Sequence, residues 1–167
     1  MKQHSIWVAL IVLIVASLAC DIPLGVRTVR GSGNVVTEAR ELSGFDSVVL
    51  SGVGQVIITQ GDEESLTIET DDNLMQYLES EVRNGRLELR IADNTIPIPT
   101  QSIIYRIGVI DLTAVDSSGA GSFEIDGLDT DRLKVTLSGA GDIKGDSLSA
   151  TDLAVTISGA GNVDLTG

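Results

Sequence analysis

One histidine, His4, one tryptophan, Trp7, and one cysteine, Cys20, are all that this chain holds of those residues, and all three lie near its start. A single cysteine excludes an intramolecular disulfide. If the first nineteen residues are removed, as argued next, the mature chain has no imidazole and no thiol beyond Cys20. That excludes Ser-His-Asp and Cys-His nucleophilic systems, histidine proton shuttles and His/Cys zinc sites. Basic residues are also scarce, 11 against 24 acidic ones, for a net charge of −13. An acidic body repels phosphates, so nucleic acid is not an expected partner, and anionic lipid surfaces should be touched only through acyl chains. Aromatic residues make up 3% of the chain, which calls for a narrow core of small and branched aliphatics.

Ile6 to Ala19 is an uncharged, almost wholly apolar run behind Lys2, short for a bilayer span, and it ends at Ser17-Leu18-Ala19-Cys20. A small residue directly before a cysteine resembles the cleavage site of a bacterial lipoprotein signal peptide. The expected arrangement is a signal peptide over residues 1–19, acylation at Cys20, a lipidated tether over 20–30 and one domain over 31–167. The alternatives are an ordinary secretory signal and a membrane-anchored helix. The expected location is the cell envelope, with the membrane as partner through the lipid.

Ser-Gly-Ala-Gly occurs at Ser118, Ser138 and Ser158, twice at a spacing of 20 residues, the mark of stacked repeats. Val135 and Leu137 alternate with Thr136, as in a strand with one buried face. Gly119 and Gly121, Gly139 and Gly141, and Gly159 and Gly161 flank a small residue where the chain must turn sharply. Each repeat therefore reads as strand, glycine corner, strand, loop. Stacking would place Val115, Val135 and Val155 in one internal file and Ala120, Ala140 and Ala160 in another, rungs about 4.8 Å apart. The serines before the corners are expected to hydrogen-bond the turn backbone.

Fainter versions occur at Ser51-Gly52-Val53-Gly54 and Gly31-Ser32-Gly33-Asn34. Between these and the regular repeats, Ser65 to Thr70 alternates as a strand and Asp72 to Leu78 suits a turn or two of helix. Glu81 to Leu89 reads as a hairpin about Asn84-Gly85. Asn94 to Gln101, with Pro97 and Pro99, reads as an exposed loop before a strand over Ile103 to Val109.

The succession Gly33-Asn34-Val35-Val36-Thr37-Glu38-Ala39-Arg40, Ser43 to Val48, Ser51-Gly52-Val53-Gly54, Gln60 to Ile68 and the Ser-Gly-Ala-Gly series resembles the bacterial family called putative autotransporter adhesin, head GIN domain. The resemblance covers nearly all of the mature chain. It implies a right-handed parallel β-helix, similar in outline to pectin lyases, on exported proteins, and it brings no catalytic residues. Unlike an autotransporter, this chain contains no membrane barrel. Its repeats stop at Gly167 in mid-coil, which points to a truncated end or a missing cap and to self-association through the open end.

Asp126, Asp129, Asp131, Asp142, Asp146 and Asp152 could offer oxygen ligands to calcium, but the nonapeptide of calcium-binding β-rolls is absent, and a solvated acidic face is the expected reading. Arg132 and Lys134 beside those aspartates are the only candidates for the cationic base of a polysaccharide lyase. The outward positions that differ between repeats, Ser122, Asp142 and Asn162, are the candidate ligand-facing residues. The reading is thus an all-β, right-handed parallel β-helix with coils of about 20 residues. It would act without metal or cofactor as a binding, adhesion or surface-structural module for a glycan or an envelope or matrix protein. The alternative is a lyase-like enzyme on the same scaffold.

Overall fold

A computed structural model describes residues 25–167; the expected signal peptide and Cys20 lie outside the described residues. Among the described residues, thirteen strands and one short helix follow in order: β1 (Arg27–Arg30), β2 (Val35–Arg40), β3 (Ser47–Leu50), β4 (Val53–Gln60), β5 (Ser65–Asp71), α1 (Asp72–Met75), β6 (Leu78–Arg83), β7 (Arg86–Ile91), β8 (Thr95–Ile98), β9 (Ile104–Val109), β10 (Ala114–Ser117), β11 (Ala120–Leu137), β12 (Ile143–Ile157) and β13 (Val163–Leu165). β1 and β8 pair with each other as a separate parallel ribbon; the other strands form one 11-stranded sheet.

That sheet is mixed, and it curls into a nearly closed, barrel-like wall around a single core. One arm runs β2-β5-β9-β4 and the other β6-β7-β3-β10, joined through β11. β11 can serve both arms because it bends at Gly127, whose φ of +63° a side chain would strain. Before the bend, Ala120–Asp126 pair with Val53–Thr59 of β4; after it, Lys134–Leu137 pair with β10. β12 follows β11 along its length and bends at the matching position, Ser147, also at positive φ. Side chains from both arms meet in one apolar cluster, Val56, Ile58, Leu66, Ile68 and Ile107 from one and Val48, Leu50, Leu87, Leu89 and Val115 from the other. Each fully buried aliphatic of this kind contributes roughly 1.5–3 kcal/mol.

This corrects the expectation of a right-handed parallel β-helix. β2 with β5, β5 with β9, and β6 with β7 are antiparallel pairs, which an all-parallel coil does not contain. The physical reason is local. Asn84 and Gly85 take φ of 51° and 78°, the turn that reverses the chain between β6 and β7. The 20-residue period holds only from β10 onward, where Val115 pairs with Val135 and Val135 with Val155 in parallel register. The β-helix reading of residues 31–167 therefore fails before β10.

Two smaller readings also change. Asn94 to Gln101 contains β8, and residues 27–30 of the expected tether form its partner β1. Prolines suit such a ribbon, where only one side of each strand is paired.

Candidate ligand-binding cleft

The repeated glycines form two columns. A Cβ on Gly119, Gly139 or Gly159 would run into the carbonyl oxygen of Gly52, Gly119 or Gly139, the glycine one rung before it. Gly121, Gly141 and Gly161 stand in the same way over Gly54, Gly121 and Gly141. Rungs approach here more closely than any side chain allows. Ser51-Gly52-Val53-Gly54 is therefore the first rung of the stack, separated from the second in sequence by β5 to β10. The serine hydroxyls bond mostly to one another: Ser118 lies 3.2 Å from Ser51, and Ser158 lies 3.4 Å from Ser138.

Between the two glycine columns, Ala120, Ala140 and Ala160 are exposed, not internal as the repeat alone suggested. Ala120 and Ala140 form the floor of an open cleft of about 550 Å³ together with Val53, Gly54, Gly121 and Gly141. Pro97 of β8 and Pro99 just after it, with Ser102 and Ile103, close one side. Along the cleft runs a row of polar residues in strand register. Gln55 pairs with Ser122, and Asp142 and Asn162 take the next two rungs, one place before the Phe123–Ile143 and Ile143–Val163 pairs.

Ser122 and Asp142 line the cleft, as does Gln55. Asn162 continues the row by donating both its backbone N–H (3.1 Å) and its Nδ2 (3.0 Å) to Asp142 Oδ1. A smaller hollow of about 210 Å³ adjoins it, with Glu124 and Lys144 on its wall; Gln55 Nε2 donates to Glu124 Oε2 at 3.0 Å. The structure thus gathers the three sequence candidates into one line and adds Gln55, which the sequence reading missed. The signal was present: Gln55 follows Gly54 as Ser122 follows Gly121. Pro97 and Pro99 had no such signal, because β8 is placed by pairing with a strand far away in sequence.

Arg132 and Lys134 do not line the cleft; Arg132 sits 3.7 Å from Asp152 as an exposed ion pair on the other limb of β11. The aspartates of the expected acidic face are spread over both limbs of β11 and β12 and, at Asp142, the turn between them, and no group of three or more potential metal ligands occurs among the described residues.

A family model described as putative auto-transporter adhesin, head GIN domain, matches residues 44–167. The chain belongs to this head GIN domain family. Solved structures place this member's fold among bacterial relatives. A putative lipid binding protein from Parabacteroides distasonis superposes with a TM-score of 0.75 at 23% identity, covering 84% of this chain. The chain spans 62% of that protein's length. A putative adhesin from Bacteroides fragilis gives a TM-score of 0.64 at 16% identity, covering 83% of this chain and 100% of its own. A putative adhesin from Parabacteroides merdae gives 0.53 at 13% identity, covering 83% of each chain. At these identities the likeness is one of fold. A search of curated proteins finds no match.

Proposed function

We propose that this head GIN domain protein is a non-catalytic binding module of the cell envelope, anchored through an acylated Cys20, that holds an extended polyhydroxylated polymer along its cleft. The observation that carries this reading is the in-register row Gln55, Ser122, Asp142 and Asn162 beside a floor of alanine and glycine. Groups repeating about every 4.8 Å across parallel strands match a ligand that is itself extended, and a floor without long side chains lets it approach the backbone. Amide and hydroxyl groups at those positions suit a glycan's hydroxyls. The adhesin descriptions of the family and of two fold relatives agree with a binding role at the surface.

The test is a glycan and envelope-protein binding screen, comparing the protein with its Ser122→Ala/Asp142→Ala/Asn162→Ala variant. Binding should fall with the triple change while melting moves little, since exposed positions usually shift stability by less than about 0.5 kcal/mol each. Unchanged binding would place the ligand elsewhere. Cleavage of an acidic polysaccharide that is lost on changing Arg132 or Lys134 would favour the lyase reading. For the anchor, Cys20→Ser should abolish metabolic labelling with a fatty acid; equal label in the variant would overturn it.

A further inference from the structure

The β1–β8 ribbon has two faces of different character. Arg27, Val29, Pro97 and Pro99 alternate onto the face turned to the body, where the Arg27 guanidinium donates to the Tyr77 hydroxyl and lies 5.0 Å over its ring, and the prolines reach the cleft. Thr28, Arg30, Ile96 and Ile98 fall on the opposite face, and Val26, the residue before β1, continues the same alternation. There Val26 is 54% exposed, Ile96 51% and Ile98 40%, an apolar patch with one arginine. In a chain with more than twice as many acidic as basic residues, neither strand of this ribbon carries an acidic side chain.

We propose that this outer face docks onto the phospholipid bilayer, with Val26, Ile96 and Ile98 entering the interface and Arg30 at the level of the phosphates. The proposal rests on acylation at Cys20. From Cys20 to Val26 the chain can reach at most about 20 Å, so an acylated Cys20 holds the ribbon, before any other part of the domain, against the membrane. Three exposed aliphatics and one cation bind a bilayer weakly alone; tethering raises their effective concentration enough for the contact to be populated. The opposite face of the same two strands borders the cleft, so docking would present the cleft immediately above the membrane.

The mature chain lacks tryptophan, which makes a single introduced one a clean reporter. The full lipidated protein carrying Ile96→Trp is reconstituted into vesicles of phosphatidylcholine and phosphatidylglycerol, with acyl-brominated lipid as quencher. Ile110→Trp, at a site 55% exposed on the main body, is the control. The expected result is a blue-shifted Trp at 96 quenched at least about twofold more than at 110, weakened by Arg30→Gln. If Ile96→Trp lowers the melting temperature, Ile98→Trp replaces it. Equal, weak quenching at both sites in protein that still floats with the vesicles would overturn docking and leave the anchor standing. Protein that fails to float would overturn both.

Discussion

The Asp71 carboxylate accepts two hydrogen bonds from Thr100, from its backbone N–H at 2.8 Å and its hydroxyl at 2.7 Å, and thereby ties the end of β5 to the segment leaving β8. It also accepts the Gly33 N–H at 2.7 Å, and Gly31 passes so close that a Cβ there would collide with it. Beside it, Asp72 accepts from the Asn34 amide at 2.9 Å and the Ser32 hydroxyl at 2.5 Å, and Asn73 holds the Ser32 N–H and the Arg30 carbonyl. Three consecutive side chains thus clasp both strands of the ribbon at their shared C-terminal end.

Asp71→Asn should loosen that clasp, because an amide presents donors where Thr100 and Gly33 already donate. The expected outcome is faster amide exchange over Arg27–Arg30 and Thr95–Ile98, with β3 and β7 unchanged, and melting lower by several degrees. Exchange that rises equally everywhere would show that Asp71 supports the whole fold.

Acid should act through the same residues. The Thr100 bonds hold the Asp71 carboxyl below the ordinary aspartate range, and the Asn34 amide does the same for Asp72. Their contribution is fully present above about pH 4, the unfolded value, and is lost as pH falls through the lower folded values. Acid titration followed by exchange at the ribbon should therefore show a transition below pH 4 that Asp71→Asn diminishes.

Tyr105 gives an alkaline counterpart. It is buried, its hydroxyl has no hydrogen-bond partner among the described residues, and burial pushes the phenol well above the ordinary tyrosine range. A raised folded value means that stability is whole below about pH 10 and declines above it, as the unfolded chain ionises first. Tyr105→Phe should flatten that decline and gain up to about 1 kcal/mol at neutral pH by removing the unpaired hydroxyl. Denaturant midpoints at pH 7 and pH 11 would check both.

Gly139→Ala should cost roughly 1–3 kcal/mol, since its methyl group would meet the Gly119 carbonyl across the rung. Gly61, where a Cβ would touch nothing, is the control, and Gly61→Ala should be neutral or slightly stabilising. Equal melting of the two variants would mean that the glycine columns are less tight than drawn.

The last long strand predicts a different behaviour. Leu153, Val155 and Ile157 continue buried files of β11 yet are 43–52% exposed, and β13 pairs only with Ile143–Gly145 of β12. Amides over 152–157 should exchange faster than those of β10. Association through this edge should appear as a concentration-dependent sedimentation coefficient and disappear with Val155→Lys.

Much of this architecture was legible residue by residue. Alternation marked Ser65 to Thr70 within β5, the run Ile103 to Val109 marked β9, and Asn84-Gly85 marked the β6–β7 hairpin. What alternation does not state is which strand lies alongside. β3 pairs with β7 on one side and β10 on the other, both remote in sequence, and nothing in Ser47–Leu50 encodes their direction. Alanine is equally uninformative about faces: Ala120 and Ala140 read as core beside valine files, although the glycine columns on either side turn them outward. The cleft was half legible for the same reason, its row visible in the repeat and its proline wall supplied only by long-range pairing.

The strict parallel register from β10 to β13 makes the polar row a graduated scale. Duplicating or deleting one 20-residue unit would leave the cut ends facing the same neighbours, so the row would lengthen or shorten by one graduation of about 4.8 Å while the antiparallel pairs stayed as they are. Variation in this region would therefore be quantised. A lineage could change the length of the row without altering the chemistry at any single mark.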